Sequence, residues 1–335
     1  MFGANSAKAI TLGASNLQQS IKIGTRGSPL ALAQAEDVKN KLLAAHSSLT
    51  EPQIEIVVIK TSGDRILDKP LMEAGGKGLF TKEIEDALLA GDIDCAVHSS
   101  KDMPTQLPEG LCLSIFLPRE DPRDVFLSKK FSHFLDLPKG AILGTASLRR
   151  RALALRQRPD LKVITFRGNV QSRLRKLSEG EADATFLALA GLNRLGLTAA
   201  ATEKLPLDDF LPAPAQGAVT VEIREGDKSI AAYLAPLHCK KTEIEVIAER
   251  SFLAALDGSC RTPIAAYASV QGNDLFLKAK LLSLDGKVVF SRNATCKASI
   301  EAAANLGTKA GLDIKAEAGE DFFKQLVKDV QAEIL

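Results

Sequence analysis

Ala96-Val97-His98-Ser99-Ser100-Lys101-Asp102-Met103-Pro104 joins the end of an apolar strand to a polar loop that carries a basic and an acidic residue side by side. In open α/β sheets, ligands bind beyond the carboxyl ends of the strands. Asp102 is therefore the first candidate for chemistry, and Lys101 is the first candidate for holding an anion. The alternative interpretation is a loop ion pair between these two neighbours. His98 is more simply explained as a hydrogen-bonded residue at the end of the strand.

Strand-like and helix-like segments alternate on both sides of this loop, which is typical of a largely parallel sheet covered by helices. Ser28 is a suitable N-cap and Pro29 a suitable first helical residue, so a helix is expected after the strand at 21–24. Its predicted buried face consists of Ala31, Ala35, Val38 and Leu42. Further strands are predicted at 54–59, 93–97, 111–117, 141–144, 162–166 and 184–190, with helices at 81–90, from about 147, and at 169–177.

Two proline-containing segments, Pro118–Asp124 and Pro212–Gly217, predict crossings between domains. The strand-like segment 218–223 directly follows the second crossing and is expected to return to the first sheet. From Lys241 a helix is predicted, then an antiparallel sheet from 264–270, 275–282 and 288–293, and a last helix over 321–334. The predicted units are a disordered extension at 1–20, domain 1 at 21–117 with 218–236, domain 2 at 118–217, and domain 3 at 237–335.

Composition excludes several classes of protein. The 335 residues are 45% hydrophobic and 25% charged, as in an ordinary globular protein, and the formal net charge is only +2. With so even a charge, no Trp and two Tyr, a nucleic-acid-binding protein is disfavoured. No apolar run approaches the roughly 20 residues of a membrane span. We expect neither nucleic acid nor membrane as a partner, and nothing in the sequence marks an oligomer interface, so we expect a monomer.

Cysteine usage favours a reducing compartment. The five cysteines are odd in number, widely spaced and without a Cys-x-x-Cys pair, so neither a disulfide framework nor a zinc site is expected. The first twenty residues lack acidic residues, but they also lack arginine and contain only Lys8, which makes a poor targeting peptide. The expected location is the cytoplasm, with an organelle as the alternative if this extension is a targeting segment.

Basic residues recur at the ends of predicted strands and the starts of predicted helices, where free backbone N–H groups already favour anions. They come from both halves of the chain and indicate a cleft that binds a ligand with several negative charges. Arginine suits carboxylate or phosphate groups, so the ligand class is a polycarboxylate or a polyphosphate. Successive helical residues cannot all face one ligand, so Arg151 is assigned to solvent. The basic set is Arg26, Lys77, Lys101, Arg149, Arg150, Arg167, Arg173 and Arg194.

Two motifs need separate treatment. Gly75-Gly76-Lys77-Gly78 lacks the spacing of a phosphate-binding P-loop, and no strand immediately precedes it, so a nucleotide site is disfavoured. Cys260 follows a predicted helix in a Gly-Ser segment and is next to Arg261, so we expect an exposed thiol with a pKa below the usual value of about 8.5. It is a candidate nucleophile or attachment point, whereas Cys95 and Cys112 lie in strands and are expected to be buried.

From about Ile21 to its end, the chain resembles the porphobilinogen deaminase (hydroxymethylbilane synthase) family. The resemblance rests on seven motifs in family order: Thr25–Leu32, Gly75–Phe80, His98–Pro104, Gly144–Arg150, Phe166–Asn169, Pro212–Gly217 and Gly258–Ile264. It implies two periplasmic-binding-protein-like, doubly wound α/β domains around a cleft and a small α+β domain that carries the cysteine. The implied enzyme is a transferase that condenses four porphobilinogen molecules, with loss of ammonia, and hydrolyses the product to hydroxymethylbilane in tetrapyrrole biosynthesis.

The same resemblance implies a role for each matching residue. Cys260 would carry a dipyrromethane cofactor through a thioether, Asp102 would be catalytic, and no metal is implied. Residues that match cofactor-binding positions are Ser99, Lys101, Thr145, Ser147, Arg149, Arg150, Arg167 and Gly168. Residues that match substrate-binding positions are Arg26, Ser28, Lys77, Phe80, Arg173, Arg194 and Gln216. Small departures from the family pattern occur at Ser100, Met103 and Ala215.

Two rival functions remain open. A solute-binding or ligand-sensing protein could use the same two-lobed cleft to bind a polycarboxylate without turning it over. Cys260 distinguishes the two functions, because a binding module has no reason to carry a covalently loaded thiol. A weaker rival is RNA binding by the arginine-rich second half, which the even charge and scarce aromatic residues disfavour.

Overall fold

The computed structural model describes residues 20–65, 79–258 and 262–332. Strands in these ranges are β1 (Ile21–Arg26), β2 (Ile54–Ile59), β3 (Cys95–Ser99), β4 (Leu111–Phe116), β5 (Asp124–Ser128), β6 (Ile142–Gly144), β7 (Lys162–Ile164), β8 (Ala184–Ala188), β9 (Glu203–Lys204), β10 (Val219–Arg224), β11 (Ile264–Gln271), β12 (Asp274–Leu282) and β13 (Val289–Lys297). Helices are α1 (Pro29–Ala45), α2 (Ser62–Arg65), α3 (Lys82–Ala90), α4 (Leu148–Gln157), α5 (Val170–Glu179), α6 (Leu189–Arg194), α7 (Lys228–Leu234), α8 (Lys240–Ala255) and α9 (Ile300–Ala332).

The first sheet has the strand order β2-β1-β3-β10-β4. Strands β1, β2 and β3 are parallel, and β10 pairs antiparallel with both β3 and β4. The predicted return of 218–223 to this sheet is confirmed. Helix α1 covers the sheet with the predicted face, since Ala31, Ala35, Val38 and Leu42 are all buried. This arrangement places the carboxyl ends of β1 and β3 side by side.

The second sheet repeats this plan with the order β7-β6-β8-β5-β9. Strands β6, β7 and β8 are parallel, and β5 runs antiparallel to β8 and β9. The sequence analysis missed β5, because it placed a crossing over 118–124 and assigned no strand to the buried residues that follow. It also predicted too long a strand at 184–190, where β8 ends at Ala188 and the buried helix α6 begins.

The third unit is an antiparallel sheet, β11-β12-β13, packed against α8 and α9. The three strands confirm the prediction, but the last helix begins at Ile300 rather than near 321 and is interrupted at Gly319 (φ 69°). The sequence did not predict a helix over 300–318, because the glycines in this segment disfavour helix formation. At Gly307 a Cβ would lie 2.1 Å from the Ala248 carbonyl oxygen, so this glycine allows α8 and α9 to approach closely.

Together the sheets confirm the predicted fold class, two doubly wound α/β units followed by a small α+β unit. The exact domain bounds remain a prediction. Residues 1–19, which make up almost all of the predicted disordered extension, lie outside the described residues.

The two crossings lie side by side and are fixed by α8. The Glu120 amide donates to the Gly217 carbonyl (3.2 Å), where a φ of +90° favours glycine. Arg119 forms a forked ion pair with the fully buried Glu249 of α8, at 2.7 and 3.0 Å. The Glu249 carboxylate also accepts from the backbone amides of Ala215 and Ala268. One carboxylate therefore connects both crossings to the third unit.

We expect Glu249→Gln to destabilise the protein by about 3–5 kcal/mol, because it removes the forked partner of the buried Arg119 guanidinium and leaves only the longer ion pair with Glu245 (3.8 Å). Glu243→Gln on the same helix is the matched control, since Glu243 pairs with partly exposed Lys240 and should cost about 1 kcal/mol or less. Urea unfolding of the purified variants measures both losses. Equal losses in the two variants would contradict this role of Glu249.

Candidate active site

Asp102 lies where β3 ends, at the carboxyl edge of the first sheet. Residues Ser100–Asp102 form one turn of 3₁₀ helix in which Ser100 is buried and Asp102 is exposed. Asp102 lines a cavity with residues from the ends of β1 and β3 and from the start of α3. The cavity-lining residues that the sequence analysis named are Arg26, Ser28, Phe80, Ser99 and Asp102. The fold thus brings the candidate carboxylate together with four of the proposed binding residues.

The cavity-lining side chains of the first α/β unit are held in place by contacts with neighbouring residues. The Arg26 guanidinium lies 4.2 Å from the centre of the Phe80 ring, which is a cation–π contact. The Ser28 side chain caps α1 by accepting from the Ala31 amide (3.3 Å). The Ser99 hydroxyl bonds to the Gln34 side chain (2.9 Å). Sequence reasoning missed Gln34, although a polar residue beside the apolar face of a helix was an available signal.

In the second unit, Arg149 and Arg150 both bind the buried carboxylate of Asp124. Arg149 Nη1 donates to Asp124 Oδ2 (2.6 Å), and Arg150 Nη2 donates to Asp124 Oδ1 (2.7 Å). Burial alone would raise the pKa of the Asp124 carboxyl, but the two guanidinium charges outweigh burial and hold this pKa well below its usual range. The sequence analysis did not identify Asp124.

Arg149 and Arg150 can bind a ligand only through the guanidinium N–H groups that the protein does not already use. Arg149 also donates to the Leu211 carbonyl (2.7 Å), and Arg150 donates to the Phe186 carbonyl (2.9 Å). Among the described residues, the buried Nε of Arg149 has no hydrogen-bond partner. Burial lowers the pKa of Arg149, and the neighbouring charge of Arg150 adds to this shift while Asp124 opposes it. Arg151, which the sequence analysis assigned to solvent, is half-buried.

A short chain of hydrogen bonds links the Asp102 loop to this cluster. Lys101 Nζ donates to Gln216 Oε1 (3.4 Å), and Gln216 Nε2 donates to Asp124 Oδ1 (2.9 Å) and to the Pro122 carbonyl (2.8 Å). Burial lowers the pKa of the Lys101 ammonium to about 8; the charge of Asp102 opposes this shift, and that of Arg150 adds to it. Gln216, in the second crossing, therefore joins the two walls of the site.

Four further candidates of the second unit lie in the turns that follow β6 and β7. Ser147 caps α4 by accepting from the Arg150 amide (3.4 Å), and the amide of Ser147 donates to the side chain of buried Thr145 (3.2 Å). At Gly168 (φ +119°) a Cβ would lie 2.7 Å from that of Ser172, so this turn requires glycine. Arg167, which precedes Gly168, is half-buried.

Arg173 and Arg194 approach the site from α5 and α6. Arg173 Nε donates to the Gly168 carbonyl (2.8 Å), and Arg194 Nη2 donates to the Gly217 carbonyl (2.8 Å). Burial lowers the pKa of Arg173 to about 10, with a further contribution from the charge of Arg150 and an opposing one from Asp102. Arg173 therefore interacts electrostatically with groups on both sides of the cleft.

The charges of the site fit a ligand that bears several carboxylates. Burial is the main cause of the lowered pKa values of Lys101, Arg149 and Arg173, and the positive charge of Arg150 adds to each shift. Asp102 and Asp124 are the carboxylates that act on this group, and Asp124 is already bound by two arginines. Carboxylates from a ligand would relieve this excess of positive charge. In the described ranges, no group of three or more His, Cys, Asp and Glu side chains could hold a metal ion.

Two predicted site residues, Lys77 and Cys260, lie outside the described residues. The described chain stops at Gly258, just beyond α8, and resumes at Thr262, just before β11. His98 is buried, and its Nε2 lies 3.2 Å from Glu222 Oε2. It is the hydrogen-bonded strand-end residue that the sequence analysis favoured.

Comparison with known proteins decides the family. A family model described as "Porphobilinogen deaminase, dipyromethane cofactor binding domain" matches residues 21–232, and one described as "Porphobilinogen deaminase, C-terminal domain" matches residues 243–316. The chain belongs to the porphobilinogen deaminase family. A chloroplastic porphobilinogen deaminase of Oryza sativa subsp. japonica is 54% identical over 91% of this chain and 86% of its own length. The Nitrobacter winogradskyi porphobilinogen deaminase is 55% identical over 90% of this chain and 94% of its own length.

Solved structures similar to the chain include a nutrient-binding protein from Burkholderia cenocepacia, with a TM-score of 0.39 and 18% identity over 64% of this chain and 90% of that one. Among the described helices, none combines the length and hydropathy that a membrane crossing requires.

The lowered pKa of Lys101 predicts a specific pH dependence of stability. Unfolding restores an ordinary lysine pKa of about 10.4, so between about pH 8 and 10.4 the unfolded chain binds more protons than the folded one. The contribution of Lys101 to the free energy of unfolding therefore rises with pH across this window and is constant below it.

We expect Lys101→Met to lose this rise, with both proteins compared in a Cys260→Ser background, which cannot attach a group through that thiol. Urea unfolding at pH 7.5 and 9.5 measures the effect, and Lys129→Met, at an exposed position, is the control that should retain the wild-type rise. An identical pH dependence in the Lys101 variant would refute the assignment.

Proposed function

We propose that the chain is a porphobilinogen deaminase, a transferase of tetrapyrrole biosynthesis, as its family membership indicates. It would join four porphobilinogen molecules head to tail, release one ammonia at each condensation, and hydrolyse the product to hydroxymethylbilane. The observation that carries this proposal is the exposed carboxylate of Asp102, at a strand end, opposite cationic side chains from both α/β units. A porphobilinogen chain would bring an acetate and a propionate on every pyrrole to these cations.

The cofactor we propose is a dipyrromethane bound to Cys260 through a thioether. When bound, it would supply a terminal pyrrole with a free α-carbon to which substrate is added. The charge excess of the site fits its carboxylates, and the buried Nε of Arg149 has no hydrogen-bond partner among the described residues. Residues proposed to hold the cofactor are Ser99, Lys101, Thr145, Ser147, Arg149, Arg150, Arg167 and Gly168.

The incoming porphobilinogen would bind nearer the mouth of the cleft. The Arg26 guanidinium, stacked on Phe80, would accept a substrate carboxylate, and the cation–π contact holds the side chain in place before substrate arrives. Arg173 and Arg194 would bind the carboxylates from the opposite wall, where each is already anchored through a backbone carbonyl. The proposed substrate-binding set is Arg26, Ser28, Lys77, Phe80, Arg173, Arg194 and Gln216.

Asp102 would perform the acid–base and electrostatic work. Loss of ammonia from porphobilinogen needs a proton on the leaving amine and leaves a cationic azafulvene. A carboxylate beside the pyrrole nitrogen stabilises this positive charge and can accept the proton that is lost after the new bond forms. Asp102 is exposed in its turn, while Ser100 is buried and Ser99 is bonded to Gln34, so the carboxylate is presented from a fixed backbone.

The main rival remains a polycarboxylate-binding protein that performs no reaction, for which the cation-lined cleft alone would suffice. Asp102 argues against it, because an exposed carboxylate among ligand-binding cations would weaken carboxylate binding and serves no purpose without chemistry. For the other properties, we propose a monomer without nucleic-acid or membrane partners. We propose a cytoplasmic location, with an organelle as the alternative; one relative is named as chloroplastic.

Intact-mass spectrometry tests the cofactor directly. We expect the purified protein to exceed its sequence mass by the mass of two pyrrole units, and Cys260→Ser to have only its sequence mass. An unmodified wild-type mass, persisting after incubation with porphobilinogen, would favour the binding-protein rival.

We expect Asp102→Asn to keep the fold and the cofactor mass but to lose turnover by about 10²–10⁴-fold, the usual contribution of a general acid–base group. Asn keeps the size of the side chain and removes only its charge and basicity. Steady-state turnover of porphobilinogen measures the loss, with intact mass as the control for cofactor loading. Turnover near the wild-type rate would remove Asp102 from the mechanism.

A further inference from the structure

Arg250 of α8 contacts the Asp102 loop from the third unit. Its Nη1 donates to the Met103 carbonyl (3.1 Å), and its Nη2 donates to the Pro104 carbonyl (2.6 Å). These two carbonyls directly follow Asp102 in the sequence. A single guanidinium therefore binds the backbone at the point where the chain leaves the reacting carboxylate.

Between the residues that the structure describes, few other hydrogen bonds fix this part of the loop. Pro104 has no N–H, and the Met103 amide makes a long bond to the Ser100 carbonyl (3.4 Å). In the described chain, the next backbone bond between loop residues joins the Leu111 amide to the Pro108 carbonyl (3.3 Å). Before Asp102, the loop is fixed by β3 and by the Ser100 amide, which donates to the Ala218 carbonyl (3.0 Å). After Asp102, it is fixed by the buried side chain of Met103 and by the two hydrogen bonds from Arg250.

The charges around Arg250 indicate that its guanidinium holds backbone carbonyls in place rather than pairing with a carboxylate. Within the described ranges, no carboxylate lies within ion-pair distance of its guanidinium. Burial lowers the pKa of Arg250 to about 10, and the buried carboxylate of Glu222 opposes this shift, so the side chain is charged at neutral pH. A charged donor binds carbonyls more strongly than a neutral one, which suits a positioning role.

Helix α8 connects this contact to the rest of the site. The preceding residue, Glu249, binds Arg119 and both crossings, so Arg250 starts from a fixed backbone. The helix ends at Ala255, and the Gly258 amide donates back to the Leu253 carbonyl (3.0 Å), just before Cys260. Helix α8 therefore carries Arg250, which contacts the Asp102 loop, and ends shortly before Cys260 in the sequence.

We propose that Arg250 is a positioning residue that holds the Asp102 loop in the geometry that the reaction requires. This inference rests on the proposed function. It requires that loss of the two carbonyl contacts displaces Asp102 from the reacting nitrogen without preventing cofactor attachment or substrate binding. The signature is a lower kcat with an unchanged KM and an unchanged cofactor mass.

The control is Arg224, whose Nη1 also donates to two backbone carbonyls, those of Leu88 (2.8 Å) and Ile93 (2.7 Å), away from the Asp102 loop. Unlike Arg250, Arg224 also pairs with a carboxylate, that of Asp227 (3.0 Å). We expect Arg250→Gln, as the loaded enzyme, to lose kcat by about 10–100-fold, the usual effect of a displacement on the order of 1 Å. Arg224→Gln should lower the thermal midpoint and leave kcat unchanged. Arg250→Lys, which offers one donor atom, should fold and show an intermediate kcat.

Two results would contradict the positioning role. One is a loss of kcat in Arg250→Gln no larger than that in Arg224→Gln, when both variants lose a similar amount of thermal midpoint. The other is a kcat of Arg250→Lys equal to that of the wild type. If Arg250→Gln fails to fold, the kcat and KM of Arg250→Lys decide the matter by the same criteria. A wild-type protein with neither the cofactor mass nor porphobilinogen turnover would instead overturn the proposed function, so the two failures are distinguishable.

Discussion

The buried carboxylate of Asp124 is the interaction on which the site depends. It binds Arg149 and Arg150 from α4 and receives a hydrogen bond from Gln216, which in turn contacts Lys101. Without this carboxylate, two buried guanidiniums would face each other unpaired, at a cost of several kcal/mol. Asp124 begins β5, so the start of an antiparallel strand in the second sheet sets the position of the cations. A buried residue of the second unit, Asp124, therefore positions the cationic side chains of the site.

The fold brings these groups together by repeating one sheet order twice and joining the copies through paired crossings. In each five-stranded sheet, the carboxyl ends of three adjacent parallel strands supply the turns that carry site residues, and the antiparallel strand is the fourth in sheet order. Glu249 fixes both crossings to α8. Because the neighbouring Arg250 holds the Asp102 loop, the third unit contributes to the geometry of a cleft formed by the other two.

Much of this was predictable from local sequence. Ser28 and Asn169 predicted the starts of two helices, the helix predicted at 81–90 ends at Ala90 as expected, and basic residues beyond strands indicated an anion site. Long-range pairings were not predictable. Asp124 of β5 meets Arg149, which follows β6, only because β5 and β6 both pair with β8. Arg250 reaches Met103 only because α8 packs near the end of the first sheet. Likewise, Gly307 disfavours a helix when only the local sequence is considered. The close packing of α9 on α8 explains why a glycine is present there.

The stoichiometry of ammonia release tests the central claim most directly. The purified protein, incubated with porphobilinogen, is assayed at several times for both ammonia and hydroxymethylbilane. Each condensation breaks one carbon–nitrogen bond, so the account predicts four ammonia molecules for every hydroxymethylbilane released. A protein that binds porphobilinogen but releases no ammonia would contradict the account and identify the cleft as a binding site only.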